Sequence, residues 1–272
     1  MDKYLVVYMS HDIDDFIIDN YNKLKSELPD GYDIIWYLDN VCDKELPEGI
    51  HFIKHPHKLV IDNIHFNKIG WKMYNPTKYC EIMYDELEWF KKYDYYWFIE
   101  WDVYFNGTWK DFLSTIDKSH NEDLITSYIS KHKDKDGWYM WRWKIFHTNP
   151  HFYYQNKHID LELDGDYIQV KSLNPVFRLS NNGLKTIKEY NKDDLKYYNH
   201  ELYIPTIIYN ANLKIISLEQ INSDEEFISD LNYIDSVKDY NWDVDFKDVS
   251  EMNKPLKLFC NYKGPYFVRT FD

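Results

Sequence analysis

The chain has 272 residues, a formal net charge of −14 and an aromatic content of 19%. Its length permits one domain with a substantial core. Its acidic balance argues against a nucleic-acid partner, because phosphate backbones bind basic surfaces. No apolar run is long enough to cross a bilayer, and no apolar leader precedes the first predicted strand, so we expect a cytoplasmic protein without a transmembrane segment.

The first 39 residues predict a strand, an amphipathic helix and a second strand. Tyr4–Ser10 is apolar, and apolar residues at helical spacing follow a capping region at Asp12–Asp15. A turn at residues 29–31 leads into Tyr32–Asp39, a strand that ends in an acid. This spacing is typical of a βαβ unit with parallel strands. Neither GxGxxG nor GxxxxGK[ST] follows the first strand, which argues against a dinucleotide-binding Rossmann site and a P-loop.

The next elements lead to the centre of the chain. Four histidines between residues 41 and 74 match no metal-ligand spacing, and we interpret them as surface residues. Asn75-Pro76 predicts the start of a helix, with Asn as the N-cap and Pro at the first helical position. That helix leads into the stretch Tyr95–Gly107, whose aromatic run we interpret as a strand that is buried on both faces and ends in two carboxylates.

Two carboxylates, Glu100 and Asp102, end this central run. Side chains alternate along a strand, so the two acids are expected on one face. They repel each other unless a cation lies between them or one of them is protonated. Oxygen ligands at the carboxyl end of a buried strand suit Mg²⁺ or Mn²⁺, and open α/β sheets bind their ligands at that edge. The alternative is that the strand simply ends and its acids reach solvent.

Further elements follow this strand. The sequence predicts a turn and a helix after Asn106, a strand at Asp123–Ile129, a strand at 174–180 followed by a polar turn and a helix, a helix at 199–208 that opens with an acid, and a last strand at 212–218. The tail from Gln220 is acidic, and we predict that it is loop-like. Lys131–Trp143 is charged and then rich in Trp, which favours a flap over a substrate, with a core segment as the alternative.

Several of these motifs resemble those of one enzyme family. Trp97–Val103 (WFIEWDV), followed by G-x-W at 107–109, resembles the DxD segment of GT-A-fold glycosyltransferases, and above all a poorly characterised group with a WFIE-aromatic-DV segment. Arg-Leu-Ser at 178–180 before a helix, and then ELYIPT at 201–206, recur in the same order. The resemblance covers about residues 71–218.

The resemblance implies an α/β, GT-A-like fold, in which a mostly parallel central sheet is flanked by helices. It implies one domain over 1–272, with a nucleotide-binding half (1–105), an acceptor and catalytic half (106–218) and a C-terminal tail (219–272). The implied activity is the metal-dependent transfer of a sugar from a UDP- or GDP-sugar to a glycan or another hydroxyl acceptor, as in polysaccharide biosynthesis. Mn²⁺ or Mg²⁺ is the implied cofactor.

The resemblance also implies roles for individual residues around the donor. Asp102 would bind the metal directly. Glu100, where the pattern most often has Asp, would contact the metal through water or bind the donor's ribose. Ser10, Asp39 and Lys263 would supply the other donor contacts.

The catalytic residue implied for an inverting enzyme is Glu201, which would take the proton of the acceptor hydroxyl. The alternative is an ordinary acid in the first turn of a helix, where the dipole favours it, and a retaining enzyme would give this residue another role. Acceptor contacts are predicted from Trp138, Trp141 and Arg178, and a structural ion pair is the alternative for Arg178.

Two other classes of protein stay open. The first is a GT-A-like carbohydrate-binding protein without catalysis, whose Trp and Tyr rings stack on glycans. The second is a metal-dependent phosphoryl-transfer enzyme, since close acid pairs also serve that chemistry. The absence of a Walker or kinase signature in the sequence argues against the second class.

Overall fold

The computed structural model describes residues 2–10, 12–38, 45, 47–54, 84, 87–105, 107–131, 168, 170–189, 200–225 and 258–259. Strands within these ranges are β1 (Tyr4–Ser10), β2 (Tyr32–Leu38), β3 (Phe52–Lys54), β4 (Tyr95–Glu100), β5 (Tyr104–Phe105), β6 (Leu124–Lys131), β7 (Val170–Ser180), β8 (Ile215–Ser217) and β9 (Leu258–Phe259). The helices are α1 (Asp15–Ser26), α2 (Trp109–Ser119), α3 (Asn181–Glu189), α4 (His200–Asn210) and α5 (Leu218–Glu225), with a 3₁₀ turn at Phe90–Lys92. None of these helices is both long enough and apolar enough to cross a bilayer.

Seven strands form one sheet in the order β3-β2-β1-β4-β7-β6-β8. β7 runs antiparallel to both of its neighbours, and every other pairing in this sheet is parallel. The predicted βαβ unit and the predicted mostly parallel α/β sheet are therefore confirmed. β5 and β9 pair separately as a short antiparallel ribbon.

Helices cover both faces of the sheet, because the side chains of its central strands alternate between two apolar layers. On one face Val6, Trp97 and Ile99 pack with buried residues of α1, α2 and α5. On the other face Leu5 and Phe98 pack with buried residues of α3 and α4. Burial on both sides explains why β1 and β4 read as continuous apolar runs.

Local sequence signals set the ends of the helices. The Asp14 carboxylate caps α1 by accepting a hydrogen bond from the Ile17 N–H at 2.8 Å. Gly31 adopts a φ of +87° in the turn before β2, a backbone conformation that residues other than glycine rarely adopt. The Thr108 hydroxyl caps α2, accepting from the Asp111 N–H at 3.2 Å. The predicted starts of these two helices are confirmed.

Two expectations about the later part of the chain are wrong. The loop predicted from Gln220 begins instead as α5, because Ser217 and Gln220 form a reciprocal capping box at 3.0 and 3.2 Å. The predicted polar turn after β7 is absent, since Asn181 already begins α3 and the Ser180 hydroxyl accepts from the Gly183 N–H at 2.8 Å. The start of the helix predicted at Asn75-Pro76 and the predicted flap lie outside the described residues.

A buried ion pair between Arg178 of β7 and Asp117 of α2 ties the sheet to its helical layer. The Asp117 carboxylate also accepts from the Trp97 indole N–H at 2.9 Å and from the Tyr32 hydroxyl. The Arg178 guanidinium lies 4.3 Å from the centroid of the Tyr95 ring. Every partner is buried or half-buried. Removal of one side chain therefore leaves the polar groups of the others buried without a hydrogen-bond or ion-pair partner.

We expect Asp117→Ala to lower the free energy of unfolding by about 3–5 kcal/mol, because it leaves the Arg178 charge buried without its partner. Asp111→Ala on the exposed side of the same helix is the control, and it should cost at most about 1 kcal/mol, the effect of losing an acid from the first turn of a helix. Urea unfolding monitored by circular dichroism measures both. Equal losses in the two variants would contradict a structural role for the pair.

Candidate active site

The two acids predicted as a metal site lie where β4 ends, at the carboxyl edge of the sheet. β4 stops at Glu100, and the Val103 N–H donates to the Glu100 carbonyl at 3.1 Å, so Trp101 and Asp102 form a tight turn. The strand alternation used in that prediction therefore does not extend to Asp102, because Asp102 lies outside the strand. Asp102 is nevertheless 9% exposed, and Glu100 is half-buried.

We call residues 100–103 the acid turn; contacts from two elements hold it. The Trp101 N–H donates to the Met9 carbonyl of β1 at 2.8 Å. The Trp101 carbonyl accepts from the Asn20 side-chain amide of α1 at 3.2 Å. The Tyr8 hydroxyl lies 3.4 Å from the same carbonyl oxygen. The backbone that carries Asp102 is thus fixed from both sides.

A third acid, Glu201, is delivered by the first turn of α4. The Thr206 hydroxyl both accepts from the Val170 N–H and donates to the Val170 carbonyl, each at 2.9 Å. This pair fastens α4 to the first residue of β7. Because β7 runs antiparallel to β4, its first residues lie toward the edge where β4 ends.

Glu100 is affected by the charges of both other acids. Burial raises the pKa of Glu100 well above its usual range, and the negative charges of Asp102 and Glu201 raise that pKa further. The Tyr8 pKa is also raised, first by burial and then by the charges of Asp102 and Asp14. A site of this kind favours either a proton or a bound cation.

The other predicted site residues are distributed as follows. Ser10 ends β1, where its hydroxyl donates to the Asp12 carbonyl and accepts from the Trp36 indole N–H, each at 2.8 Å, so this hydroxyl closes the end of the strand. Arg178 pairs in register with Trp97, three positions before Glu100, and its ion pair makes it a core residue rather than an acceptor contact. Three predicted contacts from loops and one from the tail lie outside the described residues, namely Asp39, Trp138, Trp141 and Lys263.

Two features of the site escaped the sequence analysis. One is the pair of polar side chains, Tyr8 and Asn20, that hold the acid turn. The other is the pairing of β9 with β5, which brings the C-terminal tail back to Phe105, three residues beyond Asp102. The stretch around Leu258–Phe259 is apolar, but two residues are too few to show a strand period.

The acids offer the oxygen donors that a hard divalent cation prefers. In the part of the chain that the structure describes, no group of three or more His, Cys, Asp or Glu side chains is arranged to hold a metal ion. Mg²⁺-type sites use one or two carboxylates and complete their coordination with water and substrate phosphates. The residues present fit that second kind of site.

Comparison with known proteins shows distant structural likeness. No family model and no curated protein sequence matches the chain. The Mn/GDP form of core-mannan synthase A from Aspergillus fumigatus has a TM-score of 0.44 at 12% identity, over 80% of this chain and 73% of that one. A glycosyltransferase involved in glycosylation of the major capsid of PBCV-1 has a TM-score of 0.38 at 12% identity, over 79% and 81%.

A third structure belongs to another class of enzyme. This Bacillus anthracis protein, provisionally identified as a glucose-1-phosphate thymidylyltransferase and crystallised with sucrose, has a TM-score of 0.42 at 11% identity, over 80% and 87% of the two chains. With TM-scores below 0.5, these three likenesses are too distant to assign a reaction or a substrate.

The raised pKa of Glu100 predicts how the stability of the metal-free protein depends on pH. The folded protein holds this proton more tightly than the unfolded chain, whose Glu pKa is about 4.3. The resulting stabilisation is complete below that value and is lost as pH rises through the folded pKa, by at most about 1.4 kcal/mol per pH unit. Glu100→Gln should therefore be more stable than the wild type at pH 8 in EDTA, with a flatter pH dependence.

Urea unfolding at a series of pH values checks this prediction. Glu88→Gln, at an exposed carboxylate, is the control and should follow the wild type. A Glu100→Gln variant that is less stable than the wild type at pH 8, or that keeps the full wild-type pH dependence, would contradict the repulsion of Glu100 by Asp102 and Glu201.

Proposed function

We propose that this protein is a metal-dependent glycosyltransferase of the GT-A type that transfers a sugar from a UDP- or GDP-sugar to a glycan or another hydroxyl acceptor. The observation that carries the proposal is that β4 ends at Glu100 and is followed by Asp102 at the carboxyl edge of a mostly parallel sheet, where the charges of Asp102 and Glu201 both raise the pKa of Glu100. Open α/β sheets bind their ligands at that edge. We further propose that residues 1–272 form one domain of this type.

Asp102 is proposed as the direct ligand of a divalent cation, because its turn is held rigidly at the end of β4. Glu100 contacts the same cation through water, or binds the ribose of the donor. Bound Mn²⁺ or Mg²⁺ supplies positive charge against the negative charge that builds on the departing diphosphate. Burial and the charges of Asp102 and Glu201 raise the pKa of Glu100, and a cation bound beside these acids would offset their repulsion.

Glu201 is proposed as the catalytic base of an inverting transfer. As the bond between the sugar's anomeric carbon and the phosphate oxygen breaks, the acceptor oxygen bonds to that carbon and its proton passes to the Glu201 carboxylate. The first turn of α4 favours the ionised form of this acid, since the helix dipole is positive at that end.

Four residues outside the described part of the chain complete the proposed site. Lys263 is proposed as a diphosphate contact, and the support is the return of the tail to Phe105 through the β5–β9 pair. Asp39 directly follows β2, whose last residue pairs with Ser10, and is proposed to contact the donor. Trp138 and Trp141 lie in the segment between β6 and β7 and are proposed as acceptor contacts.

We expect Asp102→Asn to lower cation-dependent donor hydrolysis and transfer by about 100-fold or more, the cost of removing a group that stabilises charge in the transition state. Release of nucleoside diphosphate from a panel of UDP- and GDP-sugars with Mn²⁺ measures it. Asp33→Asn, at the opposite end of β2 from the proposed site, is the matched control and should retain full activity. Unchanged turnover in Asp102→Asn would contradict the proposed function.

Glu201→Gln separates the base from the cation site. This variant should retain Mn²⁺-dependent thermal stabilisation by the nucleoside diphosphate, because ligand binding raises stability by mass action, yet lose transfer. Glycan binding by the wild type that is insensitive to EDTA and to nucleotide would instead identify a carbohydrate-binding protein.

A further inference from the structure

A side chain of α1, distant in the sequence, holds the peptide bond between Trp101 and Asp102. The Asn20 amide donates to the Trp101 carbonyl oxygen at 3.2 Å across a separation of 81 residues. Asn20 is half-buried on α1, and its helix is docked to the core by the buried residues Ile17, Tyr21 and Leu24. The donor is therefore presented from a rigid element.

This hydrogen bond bears on the direction of the acid. The Trp101 carbonyl belongs to the same planar peptide unit as the Asp102 nitrogen, so its orientation is tied to that of the bonds at the Asp102 Cα. The Trp101 N–H is already fixed to the Met9 carbonyl at 2.8 Å, and the Val103 N–H to the Glu100 carbonyl at 3.1 Å. With the Asn20 bond in place, both peptide units of Trp101 are held.

The neighbouring tyrosine does not replace the amide. Tyr8 has a single hydroxyl hydrogen, and its shorter contact, 3.0 Å, is with the Ile17 carbonyl rather than with the Trp101 carbonyl at 3.4 Å. Of these two donors, the Asn20 amide is the one closer to the Trp101 carbonyl oxygen.

A second side chain of α1 provides a natural comparison. The Lys23 ammonium, one turn further along the helix, donates to the Phe105 carbonyl at 2.7 Å. This bond links the same helix to the same segment, but beyond the acid turn. Loss of either bond removes one contact between α1 and this segment, but the Asn20 bond acts on the peptide that carries Asp102 and the Lys23 bond does not.

We propose that Asn20 is a positioning residue that fixes the direction of the Asp102 carboxylate by holding the Trp101–Asp102 peptide. The inference rests on the proposed function for the identity of the ligand, a divalent cation. Outer residues that orient metal ligands typically change metal affinity by about 10–100-fold when they are mutated.

Two measurements on the full chain test this role, with Asn20→Leu as the variant and Lys23→Met as its control. Mn²⁺ binding followed by electron paramagnetic resonance should be weakened by about tenfold or more in Asn20→Leu and remain within about twofold of the wild type in Lys23→Met. Amide hydrogen exchange of Val103 in metal-free protein should accelerate in Asn20→Leu and not in Lys23→Met. Thermal unfolding of the apo forms reports the general loss of stability in each.

The outcomes are distinct. Equal Mn²⁺ affinities and equal Val103 exchange in the two variants would overturn the inference, because the Asn20 bond would then be one more helix contact. A wild type that binds no Mn²⁺ would contradict the proposed function. In that case the exchange measurement alone still decides whether Asn20 holds the turn.

Discussion

Electrostatic repulsion of Glu100 by Asp102 and Glu201 is the interaction on which the proposed site at the carboxyl edge of the sheet depends. Glu100, Asp102 and Glu201 reach that edge from a strand end, a turn and a helix start, and each is carried by a different set of backbone bonds. Burial strengthens their mutual repulsion because the effective dielectric constant is lower than in water. The fold therefore holds in place an arrangement that a proton or a cation stabilises.

The strands on either side of β4 position this edge of the sheet. β1 and β4 are buried on both faces and pair in parallel, with Met9 opposite Glu100. On the other side of β4, β7 runs antiparallel to it, so its first residues lie toward the edge where β4 ends. Near its last residues Arg178 pairs with Asp117 beside aromatic rings. At its first residue the Val170 N–H donates to the Thr206 hydroxyl of α4, which in turn donates to the Val170 carbonyl. This strand therefore carries the buried Arg178–Asp117 ion pair near its last residues and a contact with α4 at its first residue.

The sequence predicts most of the strands and helices because apolar runs and helical spacing are local signals. It also predicts that β4 ends in acids, because the abrupt change from aromatic residues to carboxylates is a local feature of the sequence. The capping box that starts α5 was missed, although Ser217 and Gln220 carry its pattern, because the acidic composition beyond them suggested a loop.

Local sequence patterns do not predict contacts between residues that are distant along the chain. Arg178 lies 61 residues from Asp117, and Asn20 lies 81 residues from Trp101, and no periodicity links either pair. The turn at Trp101 and Asp102 was missed for a related reason, because strand propensity continues through the aromatic residues after Glu100. Long-range packing decides these features, and local propensity does not override it.

The most direct test of a cation held by these acids is a crystal structure of the wild type soaked with Mn²⁺ and either UDP or GDP, with anomalous diffraction recorded at the manganese edge. We expect an anomalous peak coordinated directly by the Asp102 carboxylate, with the nucleotide's diphosphate on its other side. Nucleotide bound elsewhere in the crystal, with no anomalous peak near Asp102, would contradict the assignment.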